Sequence, residues 1–167
     1  MKGLAPLMSS ARTGTKDQDE WRTPKWLFDR CAMEYGAFDL DAAASPGSTL
    51  CKLFYDEEDS ALAAKNNWIG NVWCNPPYSI LKGFVDKGLA ELRAGRCRSI
   101  TFLIPARTDT KAFQMLANSQ FCFEVVFLKG RVKFEPGDQS APFPSAVIHL
   151  RRRHSRREVY FQDWRPV

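Results

Sequence analysis

The tetrapeptide Asn-Pro-Pro-Tyr combines residue types that can hold and stack a planar amine. The side-chain oxygen of Asn75 and the backbone oxygen of Pro76 are two hydrogen-bond acceptors, and proline has no N–H and keeps the backbone stiff. When two acceptors bind both hydrogens of an exocyclic amine, the nitrogen lone pair turns towards an electrophile and the developing positive charge is dispersed. Pro77 extends the stiff segment, and Tyr78 offers a flat face for an aromatic ring. The motif predicts an amino-substituted heterocycle as substrate, against the plainer interpretation of a turn that ends a strand.

The electrophile must arrive on a cofactor, since no basic nucleophile or metal-ligand cluster adjoins this motif in the sequence. Methyl transfer from S-adenosylmethionine meets this requirement, because the sulfonium is the leaving group and the enzyme has only to align nitrogen, methyl and sulfur. The stretch "FDLD" supplies Asp39 or Asp41 to accept hydrogen bonds from the ribose hydroxyls of the cofactor. The alternative for both carboxylates is a solvated strand end or a helix cap.

Short apolar runs alternate with helical patterns along the chain, which predicts an α/β protein with a parallel sheet. The predicted strands are "AFDLDAAA", "IGNVWCN", "RSITFLIPA" and, as the last clear strand, "AVIHL". An antiparallel C-terminal hairpin is predicted over "FCFEVVFLKGRVKFE", with its turn at Lys129 and Gly130. Because ligands bind outside the carboxyl ends of strands in open α/β sheets, "FDLD" and "NPPY" are predicted to face one cleft.

Three helices are predicted between these strands. The first has Thr23 as its N-cap, Pro24 at its first position and Gly36 as its stop. The second covers residues 79–94, and the third lies in "RTDTKAFQMLANS" with Thr108 or Asp109 as its cap. Residues 45–70 give the weakest pattern.

Length and composition fit one domain with a polyanionic partner. The 167 residues are 44% hydrophobic and 26% charged, with a net charge of +5 and a pI of about 9.0. We expect residues 1–18 to form a mobile arm and residues 19–167 a single domain with a basic C-terminal segment. No apolar run of about 18 residues is present, so no membrane partner is expected. The five cysteines are widely spaced, which indicates neither a metal site nor a disulfide framework. Their spacing is typical of a protein from a reducing cytosol.

Six ordered blocks resemble the short DNA N6-adenine methyltransferase family often found in bacteriophages and prophages. They are "WRTPKWLFD", "FDLDAAA", "WIGNVWCNPPYS", "LIPARTDTKAF", "GRVKF" and "APFPSAV", over roughly residues 19–150. The resemblance implies a Rossmann-like methyltransferase fold, S-adenosylmethionine as donor and N6 of adenine in DNA as acceptor. It also implies a cytoplasmic enzyme, in the host cytoplasm if the gene is carried by a phage.

The resemblance also assigns roles to individual positions. It places Asn75, Pro76, Pro77 and Tyr78 on the catalytic motif, and Thr23, Pro24, Asp39 and Asp41 on stretches that line the cofactor pocket. The sequence departs from the pattern of other methyltransferases where "DAAASPG" replaces a glycine-rich loop. Which aspartate meets the ribose is therefore left open.

Basic residues are candidates for contacts with DNA, from which a target adenine must be flipped at a cost of a few kcal/mol or reached in a single strand. Arg107 follows "LIP" at a strand end, and its alternative is a surface salt bridge. Lys129, Arg131 and Lys133 cluster at the predicted hairpin, where a solvated face is the alternative. The tail "RRRHSRRE" suits either a phosphate clamp or a solubilising terminus.

Two other functions are compatible with the same residues. One is methyl transfer to RNA or to a protein side-chain amide, and the other is a basic DNA-binding module without catalytic activity. The 167 residues leave little length for a separate domain that recognises a DNA sequence. Specificity for a DNA sequence would therefore come from loops such as 45–70 or 136–145, or the specificity would be low.

Overall fold

The strands form one mixed sheet in the computed structural model, which describes residues 21–136 and 140–166. The predicted N-terminal arm lies outside these residues. The strand order is β2-β1-β3-β4-β6-β5-β7, and β6 alone runs against the others. The strands are β1 Leu40–Asp41, β2 Leu53–Phe54, β3 Gly70–Cys74, β4 Cys97–Pro105, β5 Cys122–Leu128, β6 Ser145–Arg151 and β7 Glu158–Gln162.

The α/β prediction is confirmed, and the three predicted helices are present as α1 Lys25–Tyr35, α2 Leu81–Ala94 and α3 Lys111–Ala117. A 3₁₀ turn at Tyr78–Ile80 leads into α2. The helix ends agree with the glycine signals: Gly36 follows α1, and Gly95 closes α2 in the left-handed conformation with φ 75°.

Two predicted N-caps are wrong. Pro24 rather than Thr23 caps α1, because its extended backbone (ψ 136°) delays the helix by one residue while its carbonyl accepts from Leu27 N at 3.0 Å. Thr110 rather than Thr108 or Asp109 caps α3, since its side chain accepts from Phe113 N at 3.3 Å. Both true caps lie within two residues of the predicted ones.

The hairpin predicted to turn at Lys129 and Gly130 is not confirmed. Both edges of β5 are occupied, on one side by β6 and on the other by β7, so the residues after Gly130 have no free edge to return to. They bridge instead to the start of the described chain and to Ser140, through Glu135 and Lys133 respectively. The strands β2 and β7 were not predicted, and β7 follows the segment expected to be last.

Hydrophobic side chains fill both faces of the sheet, because successive residues of a strand point to opposite sides. Phe102 of β4 faces the cluster formed with α2 and α3, and the next residue, Leu103, faces the cluster formed with α1. Helices therefore cover both faces and leave the strand ends at two opposite edges. We call these the carboxyl edge and the amino edge, after the ends of the six strands that run in the same direction. None of the helices in the described part of the chain is long and apolar enough to cross a membrane.

Gly88 of α2 gives a test of this packing. A β-carbon there would lie 3.0 Å from Phe102, 3.1 Å from Ile100 and 3.1 Å from Trp68, all fully buried. We expect Gly88→Ala to lower the free energy of unfolding by about 1–2 kcal/mol in urea titrations, because overpacking outweighs the gain in helix propensity.

Gly83 in the same helix is the matched control. Its β-carbon would meet only Leu62, at 3.4 Å, so Gly83→Ala should raise the free energy of unfolding by up to about 1 kcal/mol. Equal effects of the two substitutions would contradict the close approach at Gly88.

Candidate active site

The carboxyl edge brings "FDLD" and "NPPY" side by side. Asp41 of β1 is paired with Trp73 of β3, and Ala42 N donates to Trp73 O at 2.9 Å. Asn75 is the first residue after β3. The strand ends there because the two prolines that follow have no N–H groups to continue the pairing. The parallel partner of β3 on its other side is β4, so Arg107 is also carried to this edge.

The Asn75 side-chain amide is held in one orientation. Its Nδ2 donates to the backbone carbonyl of Trp21 at 3.2 Å, and since a carbonyl can only accept, this contact fixes which amide atom is the nitrogen. The Oδ1 atom then points the other way, with the Tyr78 hydroxyl 3.4 Å from it, beyond the usual length of a strong hydrogen bond. Pro76 is buried, and Asn75 and Pro77 are half-buried.

Aromatic rings form a wall beside this amide. The Trp21 ring stacks on Phe134 with centroids 5.2 Å apart and lies 5.8 Å from Phe143, and the Tyr78 ring meets Phe143 edge-on at 5.5 Å. Phe134 and Phe143 belong to the blocks "GRVKF" and "APFPSAV", but the sequence analysis gave neither ring a role. The only sequence feature that pointed to these two phenylalanines was their place in the ordered blocks.

Backbone contacts hold the wall in place. Arg22 and Glu135 exchange two hydrogen bonds, of 2.7 and 3.0 Å, which fix the start of the described chain against residues 134–135. Ala106 N donates to Pro144 O at 2.8 Å, which ties the segment containing Phe143 to the end of β4. The site is therefore assembled from four segments that are far apart in sequence.

Asp41 is a buried carboxylate at the carboxyl edge, with 4% of its surface exposed. Its Oδ1 accepts from Ala43 N at 3.2 Å. Burial raises the pKa of Asp41 to about 6, although backbone N–H groups of Ala43 and Leu50 oppose the rise. An ionised carboxylate offers about four lone-pair sites, so two N–H donors leave capacity for further hydroxyl donors.

Two thiols near Asp41 are kept protonated. Burial and the Asp41 charge raise the pKa of Cys51 to about 12, and burial raises the pKa of Cys74 well above its usual range. Neither thiol is therefore a nucleophile at neutral pH.

Asp39 lies at the opposite, amino edge. Its Oδ2 accepts from Asn71 N at 2.8 Å and from the Arg98 guanidinium at 3.0 Å. It also packs so closely on Gly70 that a β-carbon there would lie 2.1 Å from Oδ2. The structure therefore does not bring Asp39 together with Asn75, and only Asp41 of the two remains beside the motif.

Thr23 and Pro24 lie two and three residues after Trp21, whose carbonyl contacts Asn75, and so lie at the carboxyl edge. Pro24 is buried and Thr23 is half-buried. Their backbone leads into α1, which places the amino end of that helix beside the motif.

The predicted DNA contacts also lie at the carboxyl edge. Arg107 follows β4 and is 3.7 Å from Asp109, as expected for a surface ion pair. Lys129 and Arg131 follow β5 and are exposed. Arg165, which follows β7 and was not among the predicted contacts, lies close to them: its guanidinium is ion-paired with Asp163 and lies 3.1 Å from the position of a β-carbon on Gly130. It was missed because β7 was not predicted.

A mixed seven-stranded sheet with helices on both faces and polar motifs at the carboxyl edge defines an α/β protein with a methyltransferase-like fold. The family model described as DNA N-6-adenine-methyltransferase (Dam) matches residues 10–152. The chain therefore belongs to the Dam family of DNA N-6-adenine-methyltransferases, as the six sequence blocks predict.

Two relatives carry the same description. The DNA N-6-adenine-methyltransferase of Escherichia phage T1 is 37% identical over 106 residues, which are 60% of this chain and 42% of the relative. The DNA N-6-adenine-methyltransferase of Haemophilus phage HP1 (strain HP1c1) is 29% identical over 140 residues, 80% of this chain and 78% of the relative. The chain thus spans less than half the length of the T1 relative. The family and both names support an adenine-specific DNA methyltransferase and do not favour the other two functions.

The raised pKa of Asp41 predicts a pH-dependent effect on stability. The folded protein holds this proton more tightly than the unfolded chain, so the free energy of unfolding falls as pH rises between about 3.8 and about 6. Above pH 6 Asp41 is ionised in both the folded and the unfolded state, so the full cost of burying its charge lowers the free energy of unfolding. We expect Asp41→Asn to raise the free energy of unfolding by about 1–3 kcal/mol at pH 7.5, and by much less near pH 4, in urea titrations.

Asp39→Asn is the matched control. Because Asp39 is half-exposed and paired with Arg98, its substitution should give no gain at pH 7.5. A gain for both variants, or one that is independent of pH, would refute the assigned cause.

Proposed function

We propose that this chain transfers a methyl group from S-adenosylmethionine to N6 of adenine in DNA, with Asn75 and Pro76 as the groups that hold the amine. The observation that carries the proposal is the orientation of the Asn75 amide. Its nitrogen is engaged by the Trp21 carbonyl, which leaves Oδ1 as the acceptor of this amide. The proposal takes the sheet as Rossmann-like and residues 19–167 as one methyltransferase domain.

The two oxygens act on the adenine amine. Asn75 Oδ1 and Pro76 O accept one N6 hydrogen each, which turns the nitrogen lone pair out of conjugation with the ring and towards the methyl donor. Positive charge grows on N6 as the new bond forms, and two fixed carbonyl dipoles stabilise it without reorganising. Neither amide oxygen is basic enough to keep the proton that N6 then releases, so water takes it.

The aromatic wall receives the base. Tyr78 is half-buried and rests edge-on against Phe143, so its ring is fixed in position for stacking on a flipped adenine. Stacking contributes roughly 1–3 kcal/mol per base in comparable sites, which offsets the few kcal/mol needed to take a base out of a duplex. Trp21 supports the wall through its stack on Phe134.

The carboxyl edge fits the cofactor at Asp41. S-Adenosylmethionine supplies an activated methyl group on a sulfonium when it is bound. Asp41 would accept from the ribose hydroxyls, and Thr23 and Pro24 would line the pocket beside it.

Because Asp39 is engaged at the other edge, we expect Asp41→Asn, and not Asp39→Asn, to weaken binding of S-adenosylmethionine in calorimetric titrations.

Basic side chains around the edge would hold the DNA backbone. Arg107, Lys129, Arg131 and Arg165 follow β4, β5 and β7, which all lie on one side of β3, so they form a row along the edge that begins beside the motif. Each phosphate that they neutralise releases counterions, which makes binding dependent on salt. An enzyme that acts on DNA would work in the cytoplasm, in the host if the gene is carried by a phage.

The decisive test uses Asn75→Ala. Purified protein, S-adenosylmethionine and unmethylated genomic DNA should yield N6-methyladenine, mapped by modification-sensitive sequencing. The variant should lower kcat about 10²- to 10³-fold, as the loss of one transition-state hydrogen-bonding group does in other enzymes. Asn67→Ala is the matched control, because Asn67 is exposed and its side chain is away from the motif. Methyl groups found in RNA or protein with none in DNA would overturn the proposal.

Trp21 is expected to position Asn75 without touching the transferred group. Trp21→Ala removes the stack on Phe134 and frees the carbonyl that fixes the amide, so kcat should fall roughly 10- to 100-fold. Trp21→Phe keeps a ring on Phe134 and should restore most of the rate. Calorimetric binding of S-adenosylmethionine should be the same in both variants, and an unchanged kcat in Trp21→Ala would refute the positioning role.

A further inference from the structure

The amino edge carries an open cavity of about 420 Å³ that the proposed reaction does not use. The start of β4 and the end of β6 lie side by side there, because the two strands are antiparallel. Four arginines line this cavity, and we call it the arginine cavity: Arg98, Arg151, Arg152 and Arg153. It lies across the sheet from Asn75: Asn71 of β3, four residues earlier, lines the cavity, so roughly 13–17 Å separate the cavity from Asn75 along the strands.

The positive charge of the arginine cavity is largely uncompensated. Arg98 is paired with Asp39, but the other three arginines have no carboxylate within ion-pair distance among residues 21–136 and 140–166. His149 also lines the cavity, and burial together with the nearby Arg151 charge lowers its pKa to about 3, so it is neutral. The arginines alone therefore set the charge.

Two of the guanidinium groups pack against the protein. Arg152 lies against Gly95 at the carboxyl end of α2, 3.1 Å from the position of a β-carbon there, so a side chain at Gly95 would crowd it. Arg151 lies over the Phe123 ring, 3.5 Å from its centroid, and its buried Nε has no hydrogen-bond partner in the described part of the chain. The terminal N–H groups of these arginines are the donors that suit phosphate oxygens.

The aromatic rings described at and beside the arginine cavity are engaged with one another or with an arginine. Tyr35 and His149 stack on each other at 4.2 Å, and the face of Phe123 is covered by Arg151. A mononucleotide would gain nothing from its base here, whereas a sugar–phosphate backbone needs only the charge. Phosphate contacts of this kind supply most of non-specific DNA binding.

We propose that the arginine cavity binds backbone phosphates of a second stretch of DNA, separate from the stretch that presents the target adenine. This inference rests on the proposed DNA substrate. Because the persistence length of DNA is about 150 base pairs, a duplex of about 14 base pairs bound at the carboxyl edge stays nearly straight and does not turn back to the amino edge. A long DNA molecule can reach both edges, which keeps the enzyme on the same molecule between reactions.

The test compares the double variant Arg152→Ala/Arg153→Ala with Arg156→Ala/Lys65→Ala. The control pair removes the same charge, and both of its side chains are exposed and ion-paired but do not line the cavity. Each protein is assayed on a plasmid and on a duplex of about 14 base pairs, both carrying the methylated sequence found by sequencing. Plasmid binding is measured without donor as a function of salt, and thermal unfolding checks the fold of each variant.

We expect the arginine variant to have about 3- to 10-fold lower kcat/KM on the plasmid, through KM, and the wild-type rate on the short duplex. The salt slope for plasmid binding should fall by about 1–2, since each lost phosphate contact removes about 0.9. An equal loss on both substrates, or none on the plasmid, would overturn the proposal. Inorganic phosphate could instead raise the Tm of the wild type but not of the arginine variant, with plasmid methylation the same in both. That result would identify a site for free phosphate and overturn the proposal. Wild-type protein that binds plasmid but methylates neither DNA would contradict the proposed function, not the arginine cavity.

Discussion

The parallel pairing of β3 with β1 on one side and β4 on the other is the constraint on which the candidate site depends. It brings three strands to an end at the same edge, so the residues that follow them become neighbours. The strand β1 has only two residues, and the Ala42 N to Trp73 O hydrogen bond continues its alignment beyond the strand. Pro76 and Pro77 then prevent β3 from extending, which leaves Asn75 at the edge rather than inside the sheet.

The sheet also separates two electrostatic environments. The carboxyl edge near Asn75 has neutral acceptors and one buried carboxylate, Asp41, which suits a reaction that places positive charge on a nitrogen. Three arginines that form no ion pair with any described carboxylate lie at the amino edge. A charge roughly 15 Å away interacts by only about 0.3 kcal/mol in a water-like dielectric, so these arginines oppose the developing cation only weakly. One protein thus accommodates both polyanion binding and transfer to an amine.

The amide of Asn75 shows how a functional group is fixed from a distance. Its nitrogen is held by a carbonyl 54 residues earlier in the chain, and that carbonyl is held by the stack of Trp21 on Phe134. Phe143 supports both Trp21 and Tyr78, so one ring links the amide to the stacking platform. The rigidity of the site therefore comes from aromatic packing, and the motif supplies the acceptors.

The sequence by itself determined the α/β class, the helices, the position of the Asn-Pro-Pro-Tyr motif at a strand end and the family, because proline, glycine and periodicity act within a few residues. Tertiary structure alone decided that β7 covers β5 in place of a hairpin, that Asp39 and Asp41 lie at opposite edges, and that Trp21, Phe134 and Phe143 meet beside Asn75. Strand pairing and ring contacts join residues far apart in the chain, and no local pattern records which distant partner will occupy an edge or a ring face.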